Sequence, residues 1–134
     1  MQIPKVGVGV LVVENNRILL GRRMGAHGAE TWAAPGGKLE FRETVEACAR
    51  RELFEETSLK LEQHRFGPYT NDIFEDEGEH YVTVFVIALK VSGHVKLMER
   101  EKCEGWKWFE VNALPSPLFM PLQALRNQGF FPKA

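Results

Sequence analysis

Glu52, Glu55 and Glu56 stand three and four residues apart in the segment Arg51-Glu52-Leu53-Phe54-Glu55-Glu56. They fall within a stretch, about Glu43 to Thr57, that lacks glycine and proline and is read as a helix. At about 100° per residue, the three carboxylates occupy one arc of roughly 100° together with Val45, Cys48 and Ala49. A merely solvated acidic face usually avoids such small apolar neighbours. Like charges at these spacings repel by roughly a few tenths of a kcal/mol per pair. Acids are also unfavourable in the last helical turn, where the dipole end is negative. Arg51 offsets Glu55 through its i,i+4 relation, but it cannot offset all three. A bound divalent cation accounts for the clustering. Hard oxygen donors without His or Cys point to Mg²⁺, or Mn²⁺, rather than zinc.

The double glycine of Pro35-Gly36-Gly37 precedes this helix. Two glycines after a proline let backbone groups approach a ligand closely and leave a carbonyl available to a metal. Cation-binding carboxylates beside such a turn suit a metal-bound phosphate, and so phosphoryl chemistry. The competing reading is a surface helix whose glutamates are simply wet.

The elements that must position these groups are legible in outline. Val6 to Val13 is a β-branched apolar run, as expected of a strand covered on both faces. Asn15-Asn16 tolerates positive φ and predicts a hairpin returning through Arg17–Gly21. Residues 22–34, with Gly25, His27 and Gly28, read as a loop. His80 to Val91 is the strongest strand signal and belongs centrally in a sheet. Trp106 to Phe109 reads as a further strand with both tryptophans on one face, where a core or structural role is the default. Pro121 to Gln128 reads as a closing helix, with proline at its start and Gly129 past its end. The order predicts an α/β (α+β) architecture, a mixed sheet flanked by helices.

Composition narrows the classes. The chain has 134 residues, suited to one domain over 1–134, and 44% are apolar, which argues against intrinsic disorder. Seventeen Lys plus Arg against eighteen Asp plus Glu give a formal charge of −1, which disfavours duplex nucleic acid as a partner. No apolar run approaches the ~18–20 residues of a membrane span, and the valine-rich run is too short for a secretory signal. Cys48 and Cys103 lack metal-ligand spacing and are read as incidental thiols of a reduced compartment, so the cytoplasm is expected. The histidines at 27, 64, 80 and 94 show no ligand spacing, and Glu75-Asp76-Glu77-Gly78-Glu79 reads as a solvated turn between strands or an edge beside a partner subunit's pocket.

With Gly37, Glu43, Arg51, Glu52, Leu53, Glu55, Glu56 and Leu59 in place, the sequence resembles the Nudix hydrolase family. The signature is Gly, five residues, Glu, seven residues, then Arg-Glu-hydrophobic-any-Glu-Glu-any-Gly-hydrophobic. Only its second glycine departs, as Ser58. A left-handed helix end there costs a non-glycine residue about 1–2 kcal/mol and leaves the carboxylates untouched. The likeness to small MutT-type members, plant and mammalian, extends through Gly7–Val13, Leu19–Arg23, Pro35–Phe41, His80-Tyr81-Val82-Thr83, residues 101–106 and Leu118-Phe119.

The resemblance implies the Nudix fold, a mixed β-sheet sandwiched between helices. It implies that Glu52, Glu55 and Glu56 hold divalent ions, Mg²⁺ or Mn²⁺, with the Gly36 carbonyl adding a ligand. Arg51 would orient Glu55, and Glu43 would support the loop by hydrogen bonds. Glu52, or Glu104 or Glu101 outside the signature, would help activate water. The expected reaction is hydrolysis of a nucleoside triphosphate, oxidised forms such as 8-oxo-dGTP included, to monophosphate and pyrophosphate. Hydrolysis of a prenyl or other small organic diphosphate is the alternative, as is a catalytically weak nucleotide-binding module. Gly36, Gly37, Lys38 and Ala34 would border the substrate, and Thr83 would face it or serve strand packing. Phe119 and Met120 would cover a base or pack beneath the last helix. A homodimer is also implied.

Overall fold

The computed structural model describes residues 2–25 and 28–131, so His27 lies outside the described residues. The apolar run forms a ten-residue strand, β1 (Lys5–Glu14), whose Gly7–Val12 centre is buried. Asn15 and Asn16 take φ of 52° and 64°, as a tight two-residue hairpin demands, and the chain returns as β2 (Arg17–Arg23). Two short strands follow, β3 (Trp32–Ala33) and β4 (Gly36–Lys38), before helix α1 (Val45–Thr57). Then come β5 (Lys60–Phe74), β6 (Glu79–Ser92), β7 (Cys103–Glu110) and helix α2 (Met120–Asn127).

β1 organises the sheet. It runs parallel to β6 from the Lys5–Tyr81 pair to the Val12–Ala88 pair, and β6 is antiparallel to β5. Its other edge is shared: β4 pairs antiparallel with Gly7–Gly9, and β2 with Val13 and Glu14. β2 in turn carries β3 and β7. Val8, Val10, Val12 and Val86 face Cys48, Ala49 and Leu53 of α1. Leu11, Phe85 and Ile87 face Leu122 and Leu125 of α2. The mixed sheet is thus sandwiched between helices, which explains why β1 is apolar on both faces.

The elements differ from the sequence expectation in several places. The segment 22–34, read as a loop, holds the end of β2 and all of β3, which pairs with β2 and so needs no alternation of its own. β7 starts at Cys103 and leaves Trp108 exposed. α1 begins at Val45, because Thr44 is its N-cap and accepts a hydrogen bond from the Ala47 amide. Glu43 is therefore left outside the helix, free to bond sideways. β5 carried no strand signal in the sequence: its register against β6 shifts between Leu61 and Gln63, Gln63 and His64, and Phe66 and Tyr69, which breaks the period-2 alternation. Glu75–Gly78 forms the turn expected between two strands. Among the described residues no helix is long and apolar enough to cross a membrane.

Candidate active site

Arg51 is the hub of the acidic segment. Its Nε donates to Glu43 Oε2 at 2.8 Å and its Nη2 to Glu43 Oε1 at 3.0 Å, a two-pronged grip across the helix start. Nη1 donates to Glu52 Oε1 at 2.8 Å and to Glu55 Oε1 at 3.4 Å, and Nη2 also reaches the Lys38 carbonyl at 3.3 Å. Glu43 Oε1 accepts the Glu40 amide at 3.0 Å. The Arg51 guanidinium holds the Glu43 carboxyl down to about 2, and Glu43 in turn raises Arg51 above its usual range. This network ties the loop of residues 38–43 to α1.

The glycines let β4 press against both neighbours. A Cβ on Gly36 would stand 2.2 Å from the Val8 carbonyl oxygen, and one on Gly37 would stand 1.9 Å from Glu52 Oε2. Pro35 O and Leu39 N bond to β1, so in the alternating antiparallel ladder the amide and carbonyl of Gly36 turn away from it. The amide donates to Glu56 Oε1 at 3.4 Å.

Glu52 and Glu56 face this turn half-buried. Burial pushes Glu56 up to about 8, with the Glu52 charge adding to it and the Gly36 amide opposing it. Burial also raises Glu52, against the pull of Arg51. The Glu55 side chain is 50% exposed and rests against Arg51. Among the described residues no three His, Cys, Asp or Glu side chains converge as a ready cage for an ion. The pair Glu52–Glu56 nevertheless fits a hard divalent cation. Its donors are all oxygen, its negative charge is buried without full compensation, and water or phosphate oxygens can complete the shell.

A cleft of about 720 Å³ opens from these carboxylates. Its lining combines Gly36, Gly37, Lys38, Arg51, Glu52 and Glu56 with Ala34, Phe74, Tyr81, Thr83, Phe85 and Phe119. The Phe119 ring stacks on Phe74 at 5.6 Å, with the Arg23 guanidinium 4.2 Å above it. Thr83 is buried, and its Oγ1 donates to Asp72 Oδ2 at 3.0 Å.

The structure brings together most of the expected site residues, but not all. Glu104 is paired with Arg22 at 3.1 Å and does not line the cleft, and neither does exposed Glu101. The reason is strand geometry: Cys103 and Trp106 of β7 (Cys103–Glu110) line the cleft, while the Glu104 side chain turns to the arginine of β2. Met120 is 40% exposed and also lies off this cleft. Ser58 takes φ of 69°, so the left-handed helix end is made despite the missing glycine.

Other lining residues were not assigned to the site from the sequence, where Trp106 read as a core or structural strand residue. Glu99 lines the cleft, and its charge helps raise Glu56. Trp106 lines it too, and its indole N–H donates to the Glu56 carbonyl at 3.2 Å. Arg23 borders it from β2. These three come from separate segments, and no spacing links them.

Comparison with known proteins agrees with this geometry. The family profile described as NUDIX domain matches residues 3–129. Among curated proteins, a Danio rerio protein named oxidized purine nucleoside triphosphate hydrolase is 35% identical over 132 residues, covering 91% of this chain and 82% of its own length. A Methanocaldococcus jannaschii ADP-ribose pyrophosphatase is 31% identical over 117 residues, covering 87% of this chain and 68% of its own. Among solved structures, a Burkholderia pseudomallei MutT NUDIX hydrolase superposes with a TM-score of 0.87 at 35% identity, covering 93% of this chain and 98% of that one.

Proposed function

The chain belongs to the Nudix family, and on that premise we propose that it hydrolyses nucleoside triphosphates, oxidised purine forms included, to monophosphate and pyrophosphate with Mg²⁺. The observation that carries this reading is one continuous cleft lined both by half-buried Glu52 and Glu56 and by the rings of Phe74, Tyr81 and Phe119. That combination of carboxylates and rings suits a ligand that carries both a phosphate chain and a flat base. The similarity to the fish oxidized purine nucleoside triphosphate hydrolase supports the same substrate class.

Glu52 and Glu56, with the outward carbonyl of Gly36, are the groups that would hold Mg²⁺, and Glu55, now 3.4 Å from Arg51, would join them on leaving it. The bound ion supplies positive charge for the phosphate oxygens and acidifies water. The chain's own residues do the rest. Arg51 fixes the Glu52 carboxylate at 2.8 Å, so its free oxygen is aimed at the glycine turn. Lys38 at the cleft rim meets the polyphosphate, and a carboxylate of the cluster takes the proton from the attacking water. The stacked rings of Phe119 and Phe74, with Tyr81, supply an apolar wall against which a base would pack.

The test is a panel of nucleoside triphosphates, 8-oxo-dGTP, ADP-ribose and isoprenyl diphosphates with Mg²⁺, read by pyrophosphate and phosphate release. Pyrophosphate from the triphosphates is the expected outcome, lost in Glu55→Gln and Glu56→Gln. Turnover of ADP-ribose or a prenyl diphosphate in preference to every triphosphate overturns the assigned substrate class.

A further inference from the structure

A second groove, of about 530 Å³, lies between the β5–β6 turn and α2. Ile73, Met120 and Ala124 give it an apolar side, and Glu75, Asp76 and Glu77 an acidic one. Among the described residues, Phe74 and Phe119 alone line both this groove and the cleft. Their rings are stacked, with centroids 5.6 Å apart and planes at 30°. A core pair is backed by other side chains all round. This pair has open volume on the cleft side and on the groove side, and so forms a partition.

The partition is held from several directions. Phe74 meets the Tyr81 ring edge-on at 6.1 Å, and the Arg23 guanidinium lies 4.2 Å over the Phe119 ring. Gly28 makes room for that ring: at its φ of 69°, a Cβ would stand 2.5 Å from Phe119 Cε1. The backbone of Phe119 is fixed independently of the ring. Its amide donates to Trp32 O at 2.8 Å, and its carbonyl accepts the amides of Leu122 at 2.9 Å and Gln123 at 3.0 Å. Its side chain makes no capping bond to α2. Cutting the ring back therefore opens the partition without removing the anchor of the helix.

We propose that Phe74 and Phe119 are specificity-determining residues: their stacked rings form a wall that limits the size of the base. The groove beyond is the volume that a bulky, uncharged base substituent enters once the wall is cut back. An unsubstituted purine needs only the cleft, whereas a purine with a benzyl-sized group meets the rings. The acids of the groove disfavour an anionic substituent there. The inference rests on the nucleotide reading of the cleft and deepens it by naming which nucleotides are refused.

The test is calorimetry on the full chain, which needs no turnover, with GMP and with GMP benzylated on the amino nitrogen, on the 6-oxygen or at C8. The unmodified protein binds at least one benzylated form about tenfold or more below GMP. Phe119→Ala binds that same form about tenfold or more tighter than the unmodified protein does, while its GMP binding weakens through the lost ring. Phe119→Val takes its place if the alanine variant does not fold. Ala124→Phe fills the groove from α2: it removes the gain in the Phe119→Ala background and leaves GMP binding to the otherwise unmodified protein unchanged. A ring that served only as packing would weaken all four ligands together when cut back. Benzylated forms that all bind the unmodified protein as well as GMP overturn the inference. So does a folded wall variant with no gain, or a gain that survives Ala124→Phe. In those cases GMP binding leaves the nucleotide reading standing, whereas absence of binding by every nucleotide overturns both. If the gain holds while no triphosphate is turned over, the hydrolase reading fails and the wall stands.

Discussion

At the residue scale, the chemistry depends on glutamates held where water would not leave them comfortable. The folded Glu56 carboxyl, raised to about 8, binds a proton that an unfolded one releases near the ordinary carboxylate value. Between those limits the folded state holds more protons, so stability in chelator falls as pH rises toward 8. Glu56→Gln removes that dependence. Urea melts of both proteins in EDTA at pH 5 and pH 8 should show the unmodified protein losing ground to the variant, by up to about 3 kcal/mol. A flat difference between the two pH values would contradict it. Glu43 behaves oppositely. Its carboxyl, held down to about 2, stabilises above the ordinary carboxylate range, and that contribution is lost as pH falls through 2.

The glycines separate two kinds of crowding. Gly37→Ala meets only the movable end of Glu52, so the fold should survive while the carboxylate is displaced. Activity then drops by roughly 10² or more with an unchanged circular dichroism spectrum. Gly36→Ala meets the Val8 carbonyl, which is backbone and cannot step aside. Its expected effect is destabilisation by about 2 kcal/mol or more, read from the urea midpoint.

At the element scale, the end of α1 shows how a helix tolerates acids at its negative pole. Its last carbonyls do not face the glutamates unpartnered: the Lys96 amide donates to Thr57 O at 2.8 Å, and the Trp106 indole to Glu56 O at 3.2 Å. Ser58 then turns the chain at φ of 69°, a conformation that disfavours a residue with a side chain. Ser58→Gly should therefore stabilise the protein by about 1 kcal/mol, with kcat/KM unchanged, by thermal and urea melts. A loss of stability would mean that the serine side chain contributes to the cap in a way its backbone does not.

The element scale also explains what was readable. β1, the hairpin at Asn15-Asn16, β6 and both helices follow from local pattern, because each has its own periodicity or turn chemistry. β5 does not, because its bulges shift the faces within one strand. Glu104 looked eligible as a catalytic carboxylate from its neighbours in sequence, yet its partner is Arg22 on the adjacent strand. Glu99 and Arg23 were silent for the complementary reason, and Trp106 was legible only as a strand residue: what they contribute is proximity to residues far along the chain.

At the scale of the whole molecule, ion binding and folding are linked. An ion held between α1 and the β4 turn binds the folded chain alone, since no such pair of carboxylates persists when the chain unfolds. Mg²⁺ at about a hundred times its dissociation constant should add about 2.7 kcal/mol of stability. The increase in Tm should be absent in a Glu52→Gln, Glu56→Gln double variant. An equal rise in both proteins would mean that the ion binds elsewhere.

The sequence by itself determined the chemistry on offer: three glutamates on one helical arc, a double glycine ahead of them, and a formal charge of −1 that hides a local surplus of acid. It also determined the order of strands and helices, since those signals are local. Only the tertiary structure decided which acids act together. The parallel pairing of β1 with β6 sets Thr83 beside Gly7, and the antiparallel pairing of β6 with β5 sets Asp72 behind Thr83. Burial then raises Glu52 and Glu56 and leaves Glu55 and Glu104 in solvent beside arginines. The physical reason is that hydrogen bonding and desolvation depend on distance through space, and residues 72, 83 and 7 become neighbours only when the sheet closes.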